Sequence, residues 1–253
     1  MGKLKIPVKD GEELAKMIEG GKRLGRVKVA LKKEVKIGVT AEAIEEIANS
    51  LIKKMGGKPS FKEVPGYHWA TCININNGVV HGIPEGITFK KGDIVSVDIG
   101  MLYQGYHTDT SFTVGLGIDR ETRKFLEVGR DALKKAIDTI IAGKRIYDIS
   151  EMIEKTIKAD GYTPVEDLVG HGVGKKLHED PAIPCFTLGA RQDSPAIPKG
   201  AVLAIEVMYT RGKKDLVIGR DGWTITTRDG KIAALFEETV AVTGTGPLIL
   251  TGG

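Results

Sequence analysis

Cysteine is almost absent from this 253-residue chain; Cys72 and Cys185 are the only two. They form no CxxC pair and are too few for a disulfide framework, which excludes a stapled secreted miniprotein and a zinc finger and leaves two reduced thiols. Long apolar runs are missing as well. No stretch approaches the roughly 20 residues that span a bilayer, and the opening MGKLKIPVKDGEEL has lysines without the apolar segment of a secretory signal. The chain is therefore expected in the cytoplasm, away from membranes. Low-complexity segments and an inter-domain linker are also lacking, and a composition of 41% hydrophobic and 28% charged residues suits one large or two small globular domains.

Charge is present but uneven. Residues 1–60 carry 14 Lys and Arg against 8 Asp and Glu, net +6, while the remainder nets −2. A basic helical face is ordinarily just solvated; the alternative is docking on a polyanion such as ribosomal RNA through the Lys22 to Lys36 region. No specific DNA binding is expected, and the chain is expected to be a monomer.

Asp10 followed by Glu13 resembles a capping box, and Leu14, Met17, Ile18, Leu24 and Leu31 recur at helical spacing through a long amphipathic helix weakened at Gly20-Gly21. A second helix starts at Thr40 and stops at Gly56-Gly57. TCININ, ITF, DIVSVDIG and YHTDTSFTV then read as an antiparallel meander. Helices over about 121–142 and 147–159 follow, then a Gly/Pro-rich loop, then strands in AVLAIEVMYT, WTITT and IAALFEETVAVT. The order helices, strands, helices, strands indicates an α+β protein with a crude internal duplication: one domain over 1–253 with halves near 10–118 and 119–246.

Carboxylates interrupt these strands four times. Asp98 lies between Val97 and Ile99, Asp109 between threonines, Glu206 inside AIEVM and Glu237 inside LFEET. Acidic residues are depleted in strands and rarely buried without a partner. If the turn after Asp98 centres on Gln104, positions 98 and 109 fall nearly opposite each other. Two such carboxylates fit a solvated sheet edge, a dyad sharing one proton, or a divalent metal between them. A second signal is VGHGVGKKLHEDPAIP, residues 169–184. There His171 is flanked by glycines that permit close backbone approach, and it is either a structural histidine or a nitrogen ligand. With Asp98, Asp109, Glu206 and Glu237 it would make one imidazole and four carboxylates, a set suited to two divalent ions.

These residues carry a resemblance. CININNGVVHGIP, GDIVSVDIG, GYHTDTSF, GHGVGKKLHEDP, IEVM and DGWTITTRDGKIAALFEETV stand in the order found in the type I methionine aminopeptidases, which the chain resembles over nearly its whole length. The resemblance implies the duplicated pita-bread (creatinase/aminopeptidase) fold, an antiparallel curved sheet covered by helices. It also implies a dinuclear metallo-exopeptidase that removes the initiator methionine from nascent polypeptides. Asp98 would chelate one ion, His171 and Glu206 the other, and Asp109 and Glu237 would bridge them. The ions would be manganese, cobalt, iron or zinc, which all accept such ligands. His81 and His178 would contact the scissile peptide, with Glu206 doubling as proton shuttle. Tyr67, Cys72 and, in a shortened loop, Trp69 would line the methionine slot. Glu238 is expected on the opposite strand face; His107 could support Asp109, and His68 belongs to a loop or rim.

The chain departs from the family pattern in the short GYHWATC loop, in Leu235 where glutamine is common, and in PCF at 184–186. The rival enzyme reading is an Xaa-Pro aminopeptidase or prolidase of the same fold, disfavoured by Cys72 and by the little chain that precedes Asp98. A rival of another class is a non-catalytic pita-bread binding protein, disfavoured by the full ligand set.

Overall fold

The computed structural model describes residues 5–252. Four helices, α1 (Gly11–Glu34), α2 (Ala41–Lys54), α3 (Arg120–Asp138) and α4 (Ile146–Ala159), come in two pairs. The strands are β1 (Lys58–Pro59), β2 (Thr71–Ile75), β3 (Gly78–Val80), β4 (Ile94–Tyr103), β5 (Tyr106–Gly115), β6 (Thr163–Pro164), β7 (Val169–Gly172), β8 (Glu179–Pro184), β9 (Val202–Thr210), β10 (Leu216–Ile218), β11 (Ile225–Thr227), β12 (Ala233–Thr243) and β13 (Gly246–Ile249). Ten strands form one antiparallel sheet with the path β1-β4-β5-β12-β9-β7-β8, to which β2, β6 and β13 add at β4, β9 and β12. A separate small sheet joins β10, β11 and β3.

Sequence-level signals account for the helix starts. Asp10 accepts from the Glu13 amide at 2.9 Å while the Glu13 carboxylate accepts from the Asp10 amide at 3.1 Å, closing the capping box. The helix runs unbroken through Gly20 and Gly21, which form a notch in it. A Cβ on Gly21 would come within 2.6 Å of Leu250, and one on Gly25 within 2.9 Å of the Thr251 and Gly252 carbonyls, so the glycines let the C-terminal segment lie against the helix.

The helices cover one face of the sheet. Period-two alternation turns Val95, Val97, Ile99 and Met101 of β4 into the core beneath α1 and α2, and Ile205, Val207 and Tyr209 of β9 into a second core beneath α3 and α4. Asp98 and Glu206 therefore emerge on the other face.

Several strand boundaries differ from the sequence reading. ITF is not a strand; it joins α2 through a single bridge, Thr40 to Thr88. The supposed loop at 169–184 contains β7 and β8, and WTITT contributes only Ile225–Thr227, in the small sheet. The third helix ends at Asp138, short of Ala142.

Candidate active site

The β4–β5 hairpin turns on Gln104 (φ 48°) and Gly105 (φ 84°), the pair of left-handed residues that a two-residue type I′ turn requires. This turn pairs Asp98 with Ser111 and Gly100 with Asp109. Asp98 and Asp109 are therefore diagonal neighbours on one face and not directly opposed, because the turn is centred between residues 104 and 105.

Register extends that face across the sheet. Cys72 pairs with Asp98, Asp98 with Ser111, Ser111 with Glu237 and Glu237 with Glu206, a continuous row over β2, β4, β5, β12 and β9. His171 pairs with Ala204, two residues from Glu206, so it joins the same face from β7. One ligand atom each of Asp109, His171 and Glu237 lies within 4.8 Å of the others, and His171 Nε2 is 3.5 Å from Glu206 Oε1. Asp98 lines the same cavity, so all five residues picked out in the sequence meet in one place.

The central strands β5 and β12 pair directly only at Glu237 with Ser111 and Glu238 with Thr110. On one side of these pairs the Thr239 hydroxyl accepts from the Asp109 amide at 2.9 Å and donates to its carbonyl at 2.7 Å. On the other, the Thr113 hydroxyl donates to the Leu235 carbonyl at 2.6 Å and accepts from its amide at 3.3 Å. Threonine hydroxyls thus replace ladder bonds where the strands separate, and Asp109 lies at that opening.

The electrostatics are unfavourable without a cation. Burial raises the pKa of all four carboxyls; mutual repulsion adds to it for Asp109, Glu206 and Glu237, and Asp98 is pushed up to about 7. His171 is held down to about 4 by burial and by the neighbouring His178, so it is neutral at ordinary pH. Its Nδ1 lies 2.9 Å from the Gly172 carbonyl; donation there fixes the tautomer and leaves Nε2 as a free ligand atom. A Cβ on Gly170 or Gly172 would approach the Ala204 or Asp180 carbonyl oxygens to 2.6 or 2.1 Å, so these glycines let His171 thread between β8 and β9.

Beside the carboxylates is a cavity of about 130 Å³. Its apolar walls are Phe61, Val64, Tyr67, Cys72, Leu177 and Trp223, and it also reaches His81 and His178. Trp69 does not line it. The Trp69 ring packs edge-on against Tyr67 at 5.2 Å and its indole N–H donates to Glu85 at 3.0 Å, whereas Trp223 packs against Tyr67 at 5.1 Å and supplies the wall. The shortened GYHWATC loop does not turn Trp69 into the slot as a second aromatic; the turn before β11 brings in Trp223 from far away instead. Trp223 stands in the DGWTITT motif and Leu177 in GHGVGKKLHEDP, whereas Phe61 lies in none of the quoted motifs.

His81 takes a left-handed backbone (φ 58°), a sparsely populated conformation for a side-chain-bearing residue. The rings of His171 and His178 meet edge-on at 4.5 Å. Both side chains stay exposed at the cavity mouth, where partial desolvation lowers their pKa, with neighbouring His178 adding to the effect on His81. His107 is buried on the same strand face as Asp109; its Nδ1 lies 2.9 Å from the Ser60 hydroxyl and its amide donates to Gly174, bracing the segment between His171 and His178. His68 is exposed beside Trp69, outside the cavity. Glu238 faces away from the site.

The sequence matches metallopeptidase family M24 over residues 15–244. The chain belongs to that family. A methionine aminopeptidase of Clostridium perfringens is 40% identical over 247 residues, covering 97% of this chain and 98% of that protein. The methionine aminopeptidase structure from Thermotoga maritima superposes with a TM-score of 0.95 at 39% identity, over 98% of this chain and all of that one. The prolidase from Pyrococcus furiosus, 23% identical with a TM-score of 0.75 and spanned over 65% of its length, shares the fold. The pita-bread α+β architecture is thereby established for this M24 peptidase.

The donor set fits a divalent metal. Asp98 Oδ1 and Glu237 Oε1 are buried without a hydrogen-bond partner, and among the described residues no Lys or Arg lines the cavity to neutralise the cluster.

Proposed function

We propose that this M24 peptidase removes the N-terminal methionine from newly made polypeptides with two divalent ions held by Asp98, Asp109, His171, Glu206 and Glu237. The observation that carries the reading is the juxtaposition of the carboxylate row and the apolar cavity, which share Asp98 and its cross-strand partner Cys72. The number of carboxylates, which exceeds what one divalent ion neutralises, supports two ions. Manganese, cobalt, iron and zinc all suit these donors.

When bound, the ions lower the pKa of water toward neutrality and polarise the scissile carbonyl. The residues do the rest. Phe61, Tyr67, Cys72 and Trp223 exclude water and hold the unbranched thioether side chain, for which a soft thiol and aromatic rings are favourable neighbours. Burial keeps the Cys72 thiol protonated, so it packs as a small apolar group. His178 donates to the developing oxyanion and His81 assists the departing amide nitrogen. Glu206, on the wall between the cavity and the outer groove, moves the proton. Without metal its burial and the nearby Asp98 charge push its pKa up; a bound cation would favour the carboxylate, the form that accepts the proton. The rest of the polypeptide leaves along a groove of about 770 Å³ that passes His81 and His178 toward Pro7, Lys175 and Asp167.

The finer reading is a single catalytic domain of two halves, 10–118 and 119–246, supported by the repeated helix–strand order and the mirrored Thr113 and Thr239 bonds. We place it in the cytoplasm as a monomer; among the described residues no helix is long and apolar enough to cross a membrane. Docking near ribosomes would use exposed Lys22, Arg26, Lys32, Lys33 and Lys36 but not Lys28, which is buried; co-sedimentation that weakens steeply with salt is its test.

Chelation followed by reconstitution tests the reading. The metal-free protein is expected to release no methionine and to recover on adding Mn(II) or Co(II). Full activity in the chelated protein would contradict it.

A further inference from the structure

Asp109 and Glu237 stand on β5 and β12, whose direct pairing covers two residues on each strand. So short a ladder leaves the spacing of the two carboxylates to other contacts. Behind the sheet, on the helix-covered face, Lys28 of α1 is buried at 8% exposure, and its ammonium reaches both strands at once. It donates to Thr110 Oγ1 of β5 at 3.2 Å and to the Glu238 carboxylate of β12.

Two polar arms run forward from this ammonium. In the first, the Thr110 hydroxyl donates to the Glu237 carbonyl at 2.8 Å. In the second, Glu238 accepts from the Thr251 hydroxyl, Thr251 accepts from the Thr239 amide at 2.9 Å, and the Thr239 hydroxyl bonds both the amide and the carbonyl of Asp109. Each arm ends on the backbone of one of the two residues assigned to bridge the metals. An ion pair serving stability alone could lie anywhere along the sheet, and in a buried position well-packed apolar residues often serve as well. Here it spans the two strands at the residue next to each carboxylate, Thr110 after Asp109 and Glu238 after Glu237. The Gly21 and Gly25 notch in α1 brings Thr251 close enough to complete the second arm.

We propose that Lys28 and Glu238, acting through Thr110 and Thr251, are positioning residues that fix the separation of the Asp109 and Glu237 carboxylates and so set the affinity of the metal centre. The inference rests on the metal reading given above. It adds that binding is tuned from the opposite face of the sheet by an α1 lysine that touches neither metal nor substrate.

The test compares the full-length parent with Lys28→Met/Glu238→Gln, which removes both charges together and so leaves no lone buried ion. Lys28→Arg serves as the conservative variant, and Thr251→Val cuts one arm while retaining the ion pair. Metal-free melting, Mn(II) affinity by calorimetry, the visible absorption spectrum of the Co(II) form, and kcat and KM on a Met-Ala-Ser peptide are measured for each. The double variant is expected to melt cooperatively, to bind Mn(II) about 10- to 100-fold more weakly, the loss typical of removing a group that orients metal ligands, and to show an altered Co(II) spectrum. Its kcat is expected to fall while KM stays near the parent value. Lys28→Arg should restore most of the affinity, and Thr251→Val should show a smaller loss in the same direction, which keeps the proposal testable if the double variant does not fold. Folded variants that bind Mn(II) within about twofold of the parent, with the parent's Co(II) spectrum, would overturn the proposal, since affected groups of this kind cost at least about tenfold. A parent that takes up no Mn(II) would instead overturn the metal reading beneath it.

Discussion

Asp98 and Glu237 each keep a buried carboxylate oxygen without a hydrogen-bond partner, and this decides how individual substitutions should behave. Asp109→Asn or Glu237→Gln removes a charge from the shared centre and should lower both metal content and rate. His178→Ala removes an exposed donor at the rim and should retain the metal while lowering kcat by about 10²- to 10³-fold, the usual effect of deleting an oxyanion donor. Metal analysis of the purified variants checks the division, and loss of metal from His178→Ala would contradict it. Proton linkage adds a second expectation. Burial raises Asp98 from 3.8 to about 7, so in the metal-free protein its contribution is most favourable at acid pH and is lost as pH rises through about 7. Bound metal needs the ionised carboxylate and reverses that trend. The rise in melting temperature on adding Mn(II) should therefore be larger at pH about 8 than at about 6, and an equal or smaller rise at the higher pH would contradict the linkage. The four acid positions were legible in the sequence because charge in a strand is costly and needs a reason, and His171 because glycines flank it. Trp223 was not, because its contact with Tyr67 joins positions far apart in the chain.

Elements were legible where a period is long enough to read. The capping box of α1 and the apolar stripe of α2 mark these helices well. β7 and β8 were hidden because glycines and prolines usually punctuate loops, whereas here Gly170 and Gly172 let His171 lie between neighbouring strands. The Gly20-Gly21 pair read as a weakness for the same reason: propensity registers what glycine costs a helix, and only the tertiary fold reveals Leu250 lying against it. Gly21→Ala would raise helix propensity, yet its Cβ would fall 2.6 Å from Leu250. The substitution is expected to destabilise the protein by about 1–3 kcal/mol, as overpacking does, measurable by chemical denaturation. A stabilised variant would mean that the C-terminal segment does not pack against α1. Register, too, depended on one element: the type I′ turn at Gln104-Gly105 moved Asp98 and Asp109 from opposed to diagonal, an arrangement that leaves room between them.

At the scale of the whole molecule, helices on one face and carboxylates on the other divide stability from chemistry, with two cores under the helix pairs and the acid–imidazole cluster where the central strands separate. The prolidases share this fold, so architecture does not choose between methionine and Xaa-Pro substrates. On the proposed reading the choice lies in the small cavity walled by Phe61, Tyr67, Cys72 and Trp223, whose apolar lining suits an unbranched side chain at the first position. Such a slot separates side chains by about 1–3 kcal/mol per methylene-sized difference, so norleucine and leucine should be cleaved more slowly than methionine but still cleaved. The most direct test is a side-by-side comparison of kcat/KM for Met-Ala-Ser and Ala-Pro-Ser peptides with the enzyme loaded separately with Mn(II), Co(II), Fe(II) and Zn(II). Preference for Met-Ala-Ser with every metal that supports turnover is the predicted result, and a consistent preference for Ala-Pro-Ser would contradict the account.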